Sequence, residues 1–301
     1  MSKISVSLAL SIATIASGFL LAACENPTPP PSTGGDTTAP TTTATNSPAA
    51  TSTTSNTKGL KLGSLLPTTG DLASIGQQMV GSVPLLVETV NACGGVNGEK
   101  VSLIEVDDQT DPKAGAAGMT KLATLDKVAG VVGSFASSVS TAAVSVAVPN
   151  KVMLISPGST SPVFTDKAKK GDFKGFWART APPDTYQALA LAQLAKKKGF
   201  KRVSTVVINN DYGVGFEKAF VDTFEKLGGT VVNKDKPVRY DPKAQTFDTE
   251  ASAAFAGKPD AVLGVLYAET GSLFLKAAYQ QGVTKGVQIL LTDGVKSASF
   301  P

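Results

Sequence analysis

Short apolar runs alternate with amphipathic stretches from residue 60 onward. Runs 60–66 (LKLGSLL), 101–106 and 203–208 are rich in Leu, Val and Ile, and each has the length of a buried strand. Helical spacing fills the intervals. Residues 74–92 predict one helix, ended by Cys93-Gly94-Gly95, whose glycines suit a left-handed cap. Asp111-Pro112 opens the next helix, with Asp as N-cap and Pro at the first helical position. Strands follow at 131–133 and 152–156, with a helix between them. A short strand at 176–180 leads into Ala181-Pro182-Pro183-Asp184, read as a crossover. The rhythm then resumes with helix 185–198, strand 203–208, helix 214–227, strands 230–233, 260–266 and 287–291, and helix 269–281. This alternation predicts an α/β fold of two doubly wound parallel-sheet lobes.

The chain before residue 60 has a different pattern. Lys3 precedes an apolar run at 8–23, too short to span a bilayer and suited to a secretory leader. It ends in Leu21-Ala22-Ala23-Cys24, which resembles the bacterial lipobox, so Cys24 is the expected lipidation site. Residues 25–58 are Thr, Pro, Ser, Asn and Ala without a large apolar side chain, a composition that cannot form a core. Such a coil spans roughly 30 Å root-mean-square. The expected organisation is a lipoprotein signal peptide (1–24), a disordered linker (25–58), an N-terminal lobe (59–180) and a C-terminal lobe (181–301). That last lobe reads as incomplete, a fragment or a truncated gene, because no helix follows its last strand.

Composition narrows the chemistry. The 301 residues include no histidine and two cysteines, which removes His-based triads, His metal ligands and a zinc site; no metal and no cofactor are expected. A net charge of +4 without a dense basic patch does not imply nucleic acid. Gly130-x-x-Gly133 and Gly213-x-Gly215 fall short of a dinucleotide fingerprint, and there is no Walker A pattern. There is no G-x-S-x-G elbow either, so a non-enzyme is expected, with only a Ser–Lys hydrolase formally open.

The candidate site lies at the ends of the strands at 131–133 and 152–156. Each feeds a loop of small hydroxylated residues, 134–138 and 156–160, where open α/β sheets bind ligands. Backbone N–H groups and a helix dipole favour a negative group there, and Ser137, Ser138 and Thr160 add hydroxyl donors, a seat for a small carboxylate. The plainer readings are an N-cap serine and a Pro-Gly-Ser turn.

Several motifs occur together: Asp107-Asp108-Gln109-Thr110-Asp111-Pro112-Lys113, Val132-Gly133-Ser134 with Ser137-Ser138, and Ile155-Ser156-Pro157-Gly158-Ser159-Thr160-Ser161-Pro162. Arg179-Thr180, Asp211-Tyr212-Gly213 and Tyr267-Ala268-Glu269 follow in the same order. In order and spacing the set resembles the Leu/Ile/Val-binding family of type I periplasmic binding proteins, the substrate-binding components of ABC importers. The resemblance implies two lobes closing on an amino acid, branched-chain type favoured, and delivery to an ABC permease by a monomer tethered outside the cytoplasm. Urea, short amides, or a ligand-sensing receptor lobe are the other readings. It also implies that Ser137 and Thr160, with backbone from Gly158 and Ser159, hold the α-carboxylate. Tyr212 and Tyr267 close over the ligand, Asp293 takes the α-ammonium, and Ser74 touches the ligand side chain. Taken singly, either tyrosine reads more readily as packing than as a ligand contact, and Asp293 equally as a turn residue. Some relatives place cysteines where this chain has Gln109-Thr110 and Ala136, so that disulfide is not expected, and Cys93 is expected to be a buried thiol at a helix end.

Overall fold

The computed structural model describes residues 59–298 and 300, so the expected leader, the spacer and Cys24 lie outside the described residues. Two parallel sheets organise them, the first in the order β2-β1-β3-β4-β5, the second β10-β9-β6-β7 with β8 also paired to β6. The first sheet comprises β1 (Lys61–Leu66), β2 (Ser102–Asp107), β3 (Gly130–Gly133), β4 (Met153–Ser156) and β5 (Trp177–Arg179). Its connections are α1 (Ala73–Val80), α2 (Ser82–Ala92), α3 (Pro112–Thr120), α4 (Ser137–Ala147) and α5 (Val163–Lys169). The second contains β6 (Arg202–Ile208), β7 (Thr230–Val231), β8 (Val238–Tyr240), β9 (Ala261–Val265) and β10 (Gln288–Leu291). Helices α6 (Asp184–Lys197), α7 (Asp211–Lys226), α8 (Asp248–Ala254) and α9 (Ala268–Gln280) accompany it. The α/β architecture expected from the alternation is the one observed.

Register brings the loops together. Leu66 pairs with Asp107, Leu65 with Gly133, Val132 with Ile155, and Ser156 with Arg179, so the carboxyl ends of neighbouring strands finish level. The crevice beyond that edge is where ligands bind in such sheets. Gly133 is required there: its φ is +143°, and a Cβ would stand 2.1 Å from the Leu65 carbonyl oxygen. Leu65, Met119, Leu122, Val131 and Leu154 form the first core. The second, around Phe216, Phe220, Val206 and Leu263, also takes in Leu72, Ala136 and Val139 from the first sheet's connections. Apolar packing therefore runs across the cleft.

Four expectations change. Residues 74–92 form two helices that meet at Gly81, because Pro84 has no N–H to give the Val80 carbonyl and its ring crowds that turn. Cys93 is exposed, since the buried face of α2 runs through Val83 and Val87 and the next turns carry Cys93 off it. Helices α5 and α8 and strand β8 were not read from the sequence. Each is short, and neither helix has a side-chain N-cap bond to announce it. Helices α6 and α7 also start earlier than expected, at Asp184 and Asp211. Among the described residues no helix is long and apolar enough to cross a membrane.

Leu154 is fully buried in the first core at the centre of β4. Leu154→Ala is expected to cost about 2–5 kcal/mol in urea unfolding. A loss under about 1 kcal/mol would mean that this core is not packed as described.

Candidate functional site

The two serine loops are bound to each other before they can bind anything else. The Ser134 carbonyl accepts from Ser140 Oγ at 3.1 Å and Ser159 Oγ at 3.2 Å, and also from Ser156 Oγ. Ser134 Oγ donates to Asp108 Oδ2 at 2.8 Å, and Thr110 N–H to Asp108 Oδ1 at 2.9 Å. Burial lifts the Asp108 carboxyl to about 6, partly offset by the bonds from Thr110 and Ser134. The Asp107–Asp108–Asp111 motif is thus a brace. Asp107 Oδ1 accepts from Thr68 N–H and Gln109 N–H, and Asp111 caps α3. Arg179 holds the second loop from outside, with Nη1 donating to the Ser159 and Ser161 carbonyls at 2.9 and 3.0 Å.

Two residues remain turned toward the cleft. Ser137 is the first residue of α4, whose N-cap is Ala136 without a side-chain capping bond, so Ser137 is not a capping serine. Its Oγ accepts from Ser161 N–H at 3.2 Å, which leaves the hydroxyl hydrogen to be donated elsewhere. Thr160 lines the same small cavity, together with Leu72, Gly158, Tyr212, Tyr267 and Asp293. The cavity is about 10 Å³, room for about one water, so a solute enters only if its walls separate.

The opposite wall is aromatic and acidic. Tyr212 and Tyr267 stack with centroids 5.6 Å apart and planes 11° from parallel. Asn210 sets both: its Oδ1 caps α7 by accepting from Tyr212 N–H and Gly213 N–H, and its Nδ2 donates to Tyr267 Oη at 3.2 Å. Tyr212 Oη donates to Thr292 Oγ1 at 2.7 Å and lies 3.2 Å from Asp293 Oδ1. Burial, and then the charges of Asp293 and Asp184, push the Tyr212 phenol well above its ordinary range. With its amide oriented to satisfy both groups, Gln187 donates from its nitrogen to Asp293 Oδ1 at 2.8 Å and accepts from Asp293 N–H at 3.2 Å.

Six of the nine expected site residues line the small cavity: Ser137, Gly158, Thr160, Tyr212, Tyr267 and Asp293. Ser138 faces a larger neighbouring cavity of about 610 Å³. Ser159 is buried beneath its loop, and Ser74 sits in α1 with its N–H given to Glu269 Oε1 at 3.1 Å. Backbone donation from Gly158 and Ser159 needs correcting, because both N–H groups point to Ser156 Oγ, at 3.3 and 2.8 Å. Gly158 serves by its size instead: a Cβ would come within 2.3 Å of the Phe135 ring.

Sequence reasoning missed Asp184 and Gln187. Asp184 is 2% exposed, its N–H bonds the Thr160 carbonyl at 2.9 Å, and its Oδ2 has no hydrogen-bond partner among the described residues. Burial raises its carboxyl to about 7. The Thr160 hydroxyl and the Arg179 charge pull it down, and Asp293 adds to the rise. The signal was present in Pro182-Pro183-Asp184, an acid starting a helix, but a crossover turn explains it equally well. Among the described residues no group of three or more His, Cys, Asp or Glu is placed to hold a metal ion.

This geometry can be set beside known proteins. Residues 78–300 match the family model described as the receptor family ligand binding region. The chain belongs to that family. An amino acid binding protein of Pseudomonas aeruginosa is 30% identical over 229 residues, covering 76% of this chain and 59% of its own length. A leucine-binding protein of Thermotoga maritima superposes with a TM-score of 0.69 at 29% identity, over 79% of this chain and 64% of its own. A solute-binding protein of an ABC transporter from R. palustris, solved with benzoate, shares the fold at 22% identity and a TM-score of 0.68, over 79% of this chain and 63% of its own. The chain therefore spans about three fifths of the length of these relatives. Its fold is that of the Leu/Ile/Val-binding, type I periplasmic binding proteins.

The buried acids set a pH dependence. Asp184 (to about 7) and Asp108 (to about 6) hold protons in the folded state at pH values where the unfolded chain has released them. Stability is therefore expected to be greatest below the unfolded values and to fall as pH rises from about 4 toward 7. Unfolding of wild type and Asp184→Asn across pH 4–8 checks this, since the variant is expected to show a shallower decline. An equal slope in both would contradict the raised Asp184 carboxyl.

Proposed function

We propose that this protein is a solute-binding protein of an ABC importer that captures an α-amino acid between two lobes and hands it to a permease. One observation carries the reading: the cleft has two signs. Ser137 offers a hydroxyl donor on one wall, beside Thr160 whose hydroxyl is shared with Asp184, and Asp293 stands on the other. An isolated charge taken out of water is costly, so such a pair of walls fits a ligand carrying both charges. A bare carboxylate such as benzoate would satisfy the donors and meet the acids with nothing to offer. The ligand's two ends then bridge the two sheets, giving the closed form its differential affinity. The apolar Leu72 in the wall favours a branched-chain side chain.

In this reading the protein performs no covalent chemistry, needs no cofactor and works as a monomer. The leader and Cys24 suit an anchor that tethers it to the outer face of a membrane, with the spacer giving it reach. The lobes in this reading are residues 59–180 and 181–301, with Asp184 just past the boundary between them. Urea and short amides fit the donors but leave Asp293 without a cation.

Calorimetric titration of the purified protein with L-leucine, benzoate and urea tests the reading. L-Leucine is expected to bind, Asp293→Ala to weaken it roughly 10–100-fold and Ser137→Ala roughly 5-fold, as for loss of charged and neutral hydrogen bonds. Preference for benzoate or urea, or an Asp293→Ala variant that binds leucine unchanged, would sink it.

A further inference from the structure

A second pair of acids meets at the cleft, away from the small cavity. Asp71 lies in the turn that leads into α1, and Glu269 lies in the first turn of α9. Thr270 Oγ1 donates to Asp71 Oδ2 at 3.2 Å, and Ser74 N–H donates to Glu269 Oε1 at 3.1 Å, so each acid is tied to the opposite side. Glu269 Oε2 is buried without a hydrogen-bond partner among the described residues, as is Ser74 Oγ beside it. The groups facing Asp71 are Glu269, Thr270, and the buried phenols of Tyr240 and Tyr267, both of which burial pushes far above their ordinary range. The remaining charges around the 610 Å³ cavity are Asp111, Asp211, Asp241 and Lys243. Lys243 Nζ is 3.2 Å from Asp111, so that cation is already engaged.

Closing the cleft therefore brings two carboxyl groups together and away from water without a cation between them. Neither burial nor like charge favours two ionised carboxylates, and one proton on Asp71 removes the repulsion between them and the cost of burying its own charge. We propose that Asp71 and Glu269 form a proton-held clasp, in which closing takes up a proton on Asp71 and ionisation of Asp71 favours opening. The clasp deepens the solute-binding reading and rests on it only for the identity of the solute. The environment of Asp71 agrees: burial raises it to about 7, the Thr270 bond partly offsets this, and Glu269 adds to the rise.

The sign follows from linkage. In an open cleft Asp71 has the ordinary carboxylate range, and in the closed one it keeps its proton up to about 7. Closure is favoured as pH falls below about 7, by up to about tenfold per pH unit, and is insensitive to pH above it. A protein facing the outside of a cell would hold its solute more tightly in acid surroundings.

Small-angle scattering of the ligand-free protein at pH 5 and pH 8 tests the clasp without any solute. The wild type is expected to be more compact at pH 5, and Asp71→Asn to be as compact at pH 8 as at pH 5. Glu269→Gln, which removes the facing charge by another route, is expected to shift wild-type behaviour toward the closed form at pH 8. Identical wild-type scattering at both pH values, or the same pH response in both variants as in wild type, overturns the proposal. Calorimetry with L-leucine at pH 6 in two buffers of different ionisation enthalpy then compares wild type with Asp71→Asn. The difference is expected to approach one proton taken up per leucine bound, and subtracting the variant removes proton movement at Asp184. If leucine does not bind, the amino-acid reading fails while the scattering still decides the clasp. If leucine binds with no difference between the two proteins, the clasp fails and the amino-acid reading stands.

Discussion

The carbonyl oxygen of Ser134 is the point on which the site depends. Buried hydroxyls of Ser140, Ser156 and Ser159 gather around it and join the loop after β3 to the loop after β4. Each such bond contributes only about 1 kcal/mol net, yet leaving one partner orphaned costs about 1–3 kcal/mol, so the set holds together or fails together. Asp108 beneath and Arg179 outside extend it to β2 and β5. Ser137 and Thr160 stand on the two loops that this network joins, and both line the small cavity.

The opposite wall is organised by a different device. Asn210 uses its oxygen to cap α7 and its amide to hold Tyr267, so one side chain starts the helix and fixes the tyrosine pair. Asp293 is gripped on both its carboxylate and its N–H by Gln187, whose helix begins with Asp184 beside Thr160. The two walls meet through the apolar packing of Leu72, Ala136 and Val139 and through polar contacts of Ser74 with Glu269, Thr270 with Asp71, Thr141 with Asp211 and Lys243 with Asp111. A solute that adds bonds to both walls favours the closed form over one with the walls apart.

Much of this was legible before any coordinates. Apolar runs and glycine stops read as strands and helices because buried parallel strands are rich in Val, Ile and Leu, which make up four of the seven residues of β6 and three of the five of β9. The hydroxyl-rich loops drew attention for a sound reason, but most of their serines turned out to be internal. Ser134, Ser140, Ser156 and Ser159 satisfy one another, and sequence cannot tell a serine that faces its own fold from one that faces a ligand. Asp184 and Gln187 were out of reach for a related reason. Their spacing puts them on one helical face, but the partner Asp293 arrives more than a hundred residues later through the second sheet. Cys93 was misjudged because a cysteine is usually inside, and the phase of α2 decides otherwise.

The central claim is that the cleft demands both charges of its solute. The most direct measurement compares three small molecules by calorimetry on the purified protein: L-leucine, 4-methylpentanoate, which lacks the ammonium, and isopentylamine, which lacks the carboxylate. Leucine is expected to bind, and each of the others to bind roughly 100-fold or more weakly, since each leaves a buried charged or polar group unpaired. If 4-methylpentanoate binds as tightly as leucine, Asp293 does not read an ammonium, and the two-signed cleft is wrong.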